Sequence, residues 1–282
     1  MLRTVIAALL GLAGWTASAF AQPIPPGDSQ QNVNFGRQVL RVFTYRPNCQ
    51  NPQLLVVFHG LNRNAENYRK SAQPLGDQLC MIVIAPEFDK ERFSSSAYQR
   101  GGIVQKRRVM PYNDWTVQYV PAIIRWARTV EQRLLDAYLI GHSGGGQFLS
   151  RVAAFMPNDA RRIVIANPGT HVFPNMAEAP FGFGGVYPPG QEEGHIRRYL
   201  AAPVTIFLGE EDTGDENRND SDDATAQGGT RLERGRNAFA AGQALARQRG
   251  WAFNWRIVEL AGVGHSGRKM FSSREALDAL RP

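Results

Sequence analysis

Residues 139–147 read Leu-Ile-Gly-His-Ser-Gly-Gly-Gly-Gln. Within them, Gly141-His142-Ser143-Gly144-Gly145 is a G-x-S-x-G pattern at the end of an apolar run. Such a pattern has a mechanical reason. A serine on a tight strand-to-helix turn sits in a strained backbone conformation, and glycines beside it let the strand and helix approach closely. The hydroxyl then stands above the sheet, and the helix N-terminus beneath it favours developing negative charge. Asp136–Ile140 reads as a buried strand and Gln147–Phe155 as a helix closed by Pro157, which is the context a nucleophilic serine requires.

A serine attacks a carbonyl at neutral pH only with a base to take its proton, an acid to orient that base, and donors for the oxyanion. The base is expected at His265, on the glycine-flanked loop Ala261-Gly262-Val263-Gly264-His265-Ser266-Gly267 that follows the last strand. His59 and His142 read as parts of their own turns, and His171 and His195 fall in a loop-rich region. The acid is expected where Val204–Leu208 runs into Gly209-Glu210-Glu211-Asp212-Thr213. Asp212 is best placed there, with Asp215 and Glu211 next. Two backbone amides serve as oxyanion donors in this reading: Gly144, directly after the nucleophile, and Leu61 in the turn His59-Gly60-Leu61-Asn62, with Asn62 as the alternative to Leu61. The chemistry needs no cofactor and no metal. The acidic stretch Asp212–Asp223 lacks the ligand and glycine spacing of an EF-hand loop and reads as a solvated loop.

These residues must be held by something, and the chain alternates short β-branched runs with helical stretches from Leu40 onward. Strands are expected over Val39–Tyr45, Leu54–His59, Met81–Ala85, Ala137–Gly141, Arg162–Ala166, Val204–Leu208 and Asn254–Leu260. Helices are expected over Ala65–Gln78, Trp115–Leu134, Gly144–Phe155, Arg231–Arg249 and Ser273–Leu280. This alternation implies right-handed β-α-β units, a mostly parallel central sheet flanked by helices, and one domain over residues 22–282. Ligands of such sheets bind outside the carboxyl ends of the strands, where every residue singled out above falls. The segment Phe173–Tyr187, with Phe181, Phe183 and Tyr187 among prolines and glycines, is a candidate wall for an apolar acyl or aromatic group; plain loop packing explains it equally.

The first 21 residues read as a signal peptide. Arg3 supplies the positive region, Val5–Leu12 the apolar stretch and Ala19-Phe20-Ala21 the cleavage site, so the mature chain would start at Gln22 in the periplasm or outside the cell. The apolar stretch is too short to span a bilayer, and no later segment reads as a stop-transfer, so no membrane span is expected after signal removal. Export would put Cys49 and Cys80 in an oxidising compartment. Each precedes an apolar run, Leu54–Phe58 and Met81–Ile84. If those runs are adjacent parallel strands, the cysteines share one sheet edge and a disulfide between them is reasonable; two unpaired small hydrophobes are the alternative. The formal charge is +7, but the basic residues are scattered, and only four of 32 are lysine. That distribution argues against a nucleic-acid partner.

On these residues the chain resembles the α/β-hydrolase superfamily, and more narrowly the secreted serine esterases similar to poly(3-hydroxybutyrate) depolymerases and feruloyl esterases. Val57-Phe58-His59-Gly60, the turn around Ser143, Gly209–Thr213, Gln227-Gly228-Gly229-Thr230-Arg231 and Gly262–His265 carry the resemblance. The order Ser143, Asp212, His265 is the α/β-hydrolase order of nucleophile, acid and base. The resemblance implies an ester hydrolase acting through an acyl-enzyme on a small-molecule or polymeric ester. A peptidase or amidase on the same triad, and a non-catalytic binding protein on a hydrolase scaffold, are the rival readings. Oligomeric state leaves no mark in the sequence.

Overall fold

A computed structural model describes residues 22–281. The signal-peptide reading of residues 1–21 lies outside them. Eight strands form one sheet among the described residues: β1 (Gly27–Asn34), β2 (Val39–Arg46), β3 (Gln53–Phe58), β4 (Met81–Pro86), β7 (Ala137–His142), β8 (Arg162–Ala166), β9 (Val204–Gly209) and β10 (Arg256–Leu260). A separate hairpin pairs β5 (Val104–Gln105) with β6 (Arg108–Val109). The sheet runs β1-β2-β4-β3-β7-β8-β9-β10. From β4 to β10 all neighbours are parallel, whereas β1 and β2 join antiparallel at one edge.

Alternation along the strands divides the core. On one face Leu54, Val56, Phe58, Leu139, Ile163, Ile165 and Ile206 pack against α2 (Tyr119–Glu131), α3 (Gly144–Phe155), α4 (Glu192–Leu200) and α6 (Arg231–Arg249). On the other Leu55, Val57, Val83, Ile140, Val164 and Phe207 pack against α1 (Ala65–Leu79), α7 (Gly267–Phe271) and α8 (Arg274–Leu280). With both faces covered, central strands lose the polar half of the β pattern and read as unbroken apolar runs. Each fully buried Leu or Ile contributes roughly 1.5–3 kcal/mol.

The expected helix over Trp115–Leu134 is shorter in the structure. Two 3₁₀ turns, Tyr112–Asp114 and Thr116–Gln118, precede α2, which starts at Tyr119 and ends at Glu131. Pro121 supplies the reason: its missing N–H is tolerated in the first turn and not in the helix interior. The Pro-rich stretch 23–27, which carries no strand or helix signal in the sequence, joins the fold. Ile24 is buried, its N–H donates to Glu131 Oε1 (2.9 Å), and its carbonyl accepts from Arg46 Nε (2.6 Å). Strand β1 behind it is polar, so it gave no period to read. Helix α4 occupies part of the region expected as loop; its Ile196, Tyr199 and Leu200 carry the i, i+3, i+4 spacing of a buried face.

Cys49 and Cys80 form a disulfide. The parallel pairing of β3 with β4 sets Gln53 opposite Met81, which brings the two preceding cysteines to one sheet edge with Cα atoms 5.9 Å apart. No helix of the described residues is long and apolar enough to cross a membrane.

Candidate active site

Ser143 lies between β7 and α3 with φ 56° and ψ −117°, a conformation that costs on the order of 1–3 kcal/mol for a residue with a side chain. The glycines around it are steric requirements. A Cβ on Gly145 would stand 2.1 Å from the Phe58 carbonyl oxygen, and one on Gly141 would stand 2.4 Å from the Gly145 oxygen. The helix can therefore begin directly against β3 and β7, and Ser143 is pushed out at the strand ends. Ser143 N–H donates to the Ala166 carbonyl (2.9 Å), tying the turn to β8.

The three side chains expected to act together do meet. Ser143 Oγ is 2.9 Å from His265 Nε2, and His265 Nδ1 is 2.7 Å from Asp212 Oδ2. Asp212 is almost fully buried, while the imidazole is 26 % exposed and faces the cleft. A carboxylate accepts only, so Nδ1 carries the proton toward Asp212 and Nε2 is left to accept from the serine hydroxyl. Asp215 and Glu211, the alternative acids, make no bond to His265. Glu211 instead turns its backbone N–H to the Val263 carbonyl (3.0 Å), joining the acid loop to the histidine loop.

Two residues without an assigned role in the sequence reading hold these loops. Asn167, at the end of β8 with φ 41°, accepts from Gly209 N–H through Oδ1 (2.8 Å) and donates from Nδ2 to the Gly264 carbonyl (3.3 Å). Its signal in the sequence was an asparagine directly after a strand and before Pro168-Gly169. Arg231 donates from Nη1 to Asp212 Oδ1 (3.1 Å), and both side chains are at most 2 % exposed. The acidic stretch after Asp212 is held by this arginine and by Arg234, which donates to the Asn219 carbonyl (2.8 Å).

The turn after β3 is built to aim one amide. His59 is buried, and its Nε2 accepts from Phe88 N–H (3.0 Å), so its Nδ1–H donates to the Gly60 carbonyl (3.0 Å). Burial pushes the imidazole down to about 3, with a smaller effect from Arg63 and an opposing one from the Gly60 carbonyl, so it stays neutral and this tautomer persists. Arg63 N–H donates to the same oxygen (3.2 Å). The Gly60 carbonyl and the Leu61 N–H belong to one peptide plane and point opposite ways, so fixing the oxygen directs the amide away from it. Among the described residues Leu61 N–H has no hydrogen-bond partner, and Leu61 lines the cleft. Gly144 opens α3, where the first amides have no partner within the helix. Gly60 and Gly144 are close: a Cβ on Gly144 would lie 3.4 Å from the Gly60 carbonyl carbon.

His142 is more than a turn element. It lies under the site, its ring centroid 4.7 Å from that of His265, with Nδ1 2.9 Å from the Tyr68 hydroxyl. Burial holds His142 well below the ordinary histidine range, with smaller effects of the same sign from His265 and Arg231. Burial also raises the Tyr68 phenol, so it remains protonated and donates to His142. The cleft above Ser143 encloses about 930 Å³ and is mostly polar: Asn62, Asn64, Asn67, Asn217, Glu216 and Arg268 are among its lining residues. Of the two readings of the aromatic segment Phe173–Tyr187, a cleft wall or plain loop packing, the structure shows packing: Phe181, Phe183 and Tyr187 do not line the cleft. Phe183 packs into the core against Phe155 and Tyr199, Tyr187 stacks on His195, and Phe181 lies between the guanidinium groups of Arg100 and Arg151. Phe181 and Phe183 are buried and Tyr187 is half-buried.

The chain superposes over about nine-tenths of its length on solved structures of the same architecture. It is similar to LpqC, a poly(3-hydroxybutyrate) depolymerase from Bordetella parapertussis, at 30% identity over 92% of each chain with a TM-score of 0.83. The chain belongs to the α/β-hydrolases. This α/β-hydrolase is also similar to poly(aspartic acid) hydrolase-1 from Sphingomonas sp. KT-1, at 28% identity, covering 91% of this chain and 99% of that one, with a TM-score of 0.83. FphF, a fluorophosphonate-binding serine hydrolase from Staphylococcus aureus, shares the fold at 14% identity and a TM-score of 0.55. No family model and no curated protein sequence matches the chain.

Proposed function

We propose that this hydrolase is an exported serine esterase that cleaves carboxylic esters through an acyl-enzyme. The observation that carries the reading is the unbroken chain Ser143–His265–Asp212 opening into a cleft. His265 Nε2 takes the hydroxyl proton as Ser143 Oγ bonds to the carbonyl carbon, and the carbonyl oxygen becomes an oxyanion facing the Leu61 and Gly144 amides. The tetrahedral species collapses with loss of the alcohol, which takes its proton from His265. Water repeats the sequence on the acyl-enzyme, releasing the acid and restoring Ser143. Asp212 keeps the imidazole in the productive tautomer and stabilises it while charged.

The polar cleft supports a substrate with hydrogen-bonding groups beside the scissile bond, in place of the apolar acyl preference that Phe181, Phe183 and Tyr187 had suggested. The two relatives at a TM-score of 0.83 are named for polymers, a polyester and poly(aspartic acid), and a polymer chain bearing polar groups fits the open cleft. Poly(aspartic acid) is joined by amides, and this favours an amidase as the second reading. Export is supported by the Cys49–Cys80 disulfide, since such bonds persist in oxidising compartments. The test is a series of chromogenic esters and matched anilides with polar and apolar acyl groups. Esters are expected to turn over faster, because an alkoxide leaves more readily than an amine, and polar acyl groups to outperform apolar ones. Equal or faster anilide cleavage would replace the esterase by the amidase.

A further inference from the structure

We propose that Arg231 is a positioning residue that couples the acid of the triad to the wall of the substrate cleft. Its role is stated on the esterase reading above, but the juxtaposition is independent of it. One guanidinium, 2 % exposed, spans three groups: Nη1 donates to Asp212 Oδ1 (3.1 Å) and to the Gly214 carbonyl (3.4 Å), and Nη2 donates to the Glu216 carbonyl. Gly214 and Glu216 line the cleft, as do Asp212 and Arg231 themselves. The same carboxylate presents its other oxygen to His265.

The base of this clamp is rigid. Arg231 is the first residue of α6, directly after Thr230, whose hydroxyl accepts from Glu233 N–H while the Glu233 carboxylate accepts from the N–H groups of Thr230 (3.1 Å) and Gly229 (2.7 Å). That reciprocal capping box fixes the helix start and hence the root of the arginine. One turn later, Arg234 donates to the carbonyls of Asn219, Gly228 and Gly169, pinning the far end of the same loop. The planar fork serves these three acceptors from two nitrogens; a lysine has one, so it keeps the carboxylate and loses the Glu216 carbonyl that Nη2 holds. A buried carboxylate with no cation beside it would also press harder on the imidazole. The charged and titratable groups around His265 are Asp212 with Arg231 behind it and the neutral His142 below, and Tyr68, Lys70, Glu211, Glu216 and Arg268 line the same cleft.

Two substitutions separate charge from tether. Arg231→Met removes the cation and the carbonyl bonds together, whereas Arg231→Lys keeps a cation beside Asp212 and loses the bond from Nη2 to the Glu216 carbonyl. Steady-state rates are taken per fluorophosphonate-titrated site. Arg231→Met is expected to lower kcat by roughly 10–100-fold, since Asp212 and with it His265 lose their fixed position. Arg231→Lys is expected to restore kcat while KM for a polar ester stays raised several-fold. An unchanged kcat in the methionine variant together with an unchanged KM in the lysine variant overturns the proposal and leaves Arg231 a structural residue only. Should the methionine variant fail to fold, the lysine variant decides: an unchanged KM overturns the clamp. Absence of both labelling and turnover in the unsubstituted protein would remove the esterase reading, a result distinct from either outcome in the variants.

Discussion

At the residue scale, the site rests on two short contacts and one buried ion pair. Ser143→Ala removes the proposed nucleophile and changes little else, since the strained turn is held by the glycines on either side. It is expected to keep the fold while lowering kcat by about 10⁴–10⁶ and abolishing fluorophosphonate labelling; retained labelling would falsify the assignment of Ser143. The acid can be separated from its neighbours in the same way. Asp212→Asn presents a group of similar size that favours the wrong histidine tautomer, and kcat should fall by about 10⁴. Asp215 is exposed and bonds neither His265 nor Arg231, so Asp215→Asn should cost little. Comparable losses in the two variants would move the acid away from Asp212.

At the element scale, the geometry of the β7–α3 turn depends on what cannot be present. A methyl on Gly145 would collide with the Phe58 carbonyl, which is backbone and cannot swing aside, whereas a methyl on Gly144 would meet the movable end of the Gln99 side chain at 3.1 Å. Gly145→Ala is therefore expected to lower stability by at least the 1–3 kcal/mol of an overpacked core, and Gly144→Ala by clearly less. Urea unfolding of both variants checks the contrast, and equal midpoints would contradict the close approach of α3 to β3. The glycine run was readable along the chain because each glycine flanks one serine. The order of need within it was not, because the colliding atoms come from β3, more than 80 residues away.

At the scale of the whole molecule, three histidines are enclosed as neutral groups. Burial pushes His59 and His171 down to about 3 and His142 well below its ordinary value. The unfolded chain takes up protons on these side chains below pH 6.5 and the folded chain does not, so their stabilising contribution is whole above pH 6.5. It declines as pH falls, by about 1.4 kcal/mol per pH unit for each of His59 and His171 until the folded value near 3 is reached, and His142 adds in the same direction. Denaturant unfolding at pH 7 and pH 5 should therefore show a loss of roughly 3–6 kcal/mol. A flat profile across that interval would contradict the burial of these imidazoles. The disulfide closes a loop with a sequence separation of 31, and its reduction should remove about 3–4 kcal/mol on chain-entropy grounds. Thiol titration of the non-reduced protein, together with unfolding in the presence and absence of reductant, measures both the bond and its contribution.

Local pattern by itself carried the parallel strands, the strained turn at Ser143 and the placement of Asp212 and His265 at strand ends. Those signals are covalently local: an apolar run, a glycine spacing, a polar residue where a run stops. The polar edge strand β1 had no such signal, because its stability comes from pairing with β2 and, Val33 apart, its side chains are exposed or only half-buried. Which cysteines meet was conditional on strand adjacency, and the pairing of β3 with β4 supplied it. The aromatic segment Phe173–Tyr187 looked like a substrate wall because its composition cannot distinguish a cleft from a core; packing against Phe155 and Tyr199 drew Phe183 inward. Asn167 was marked only by its place after a strand, and Arg231 only by ending a segment that carried the resemblance. Their meaning arises from three loops that converge only after the sheet has ordered their strands, and a buried carboxylate then requires a cation that no local spacing can announce.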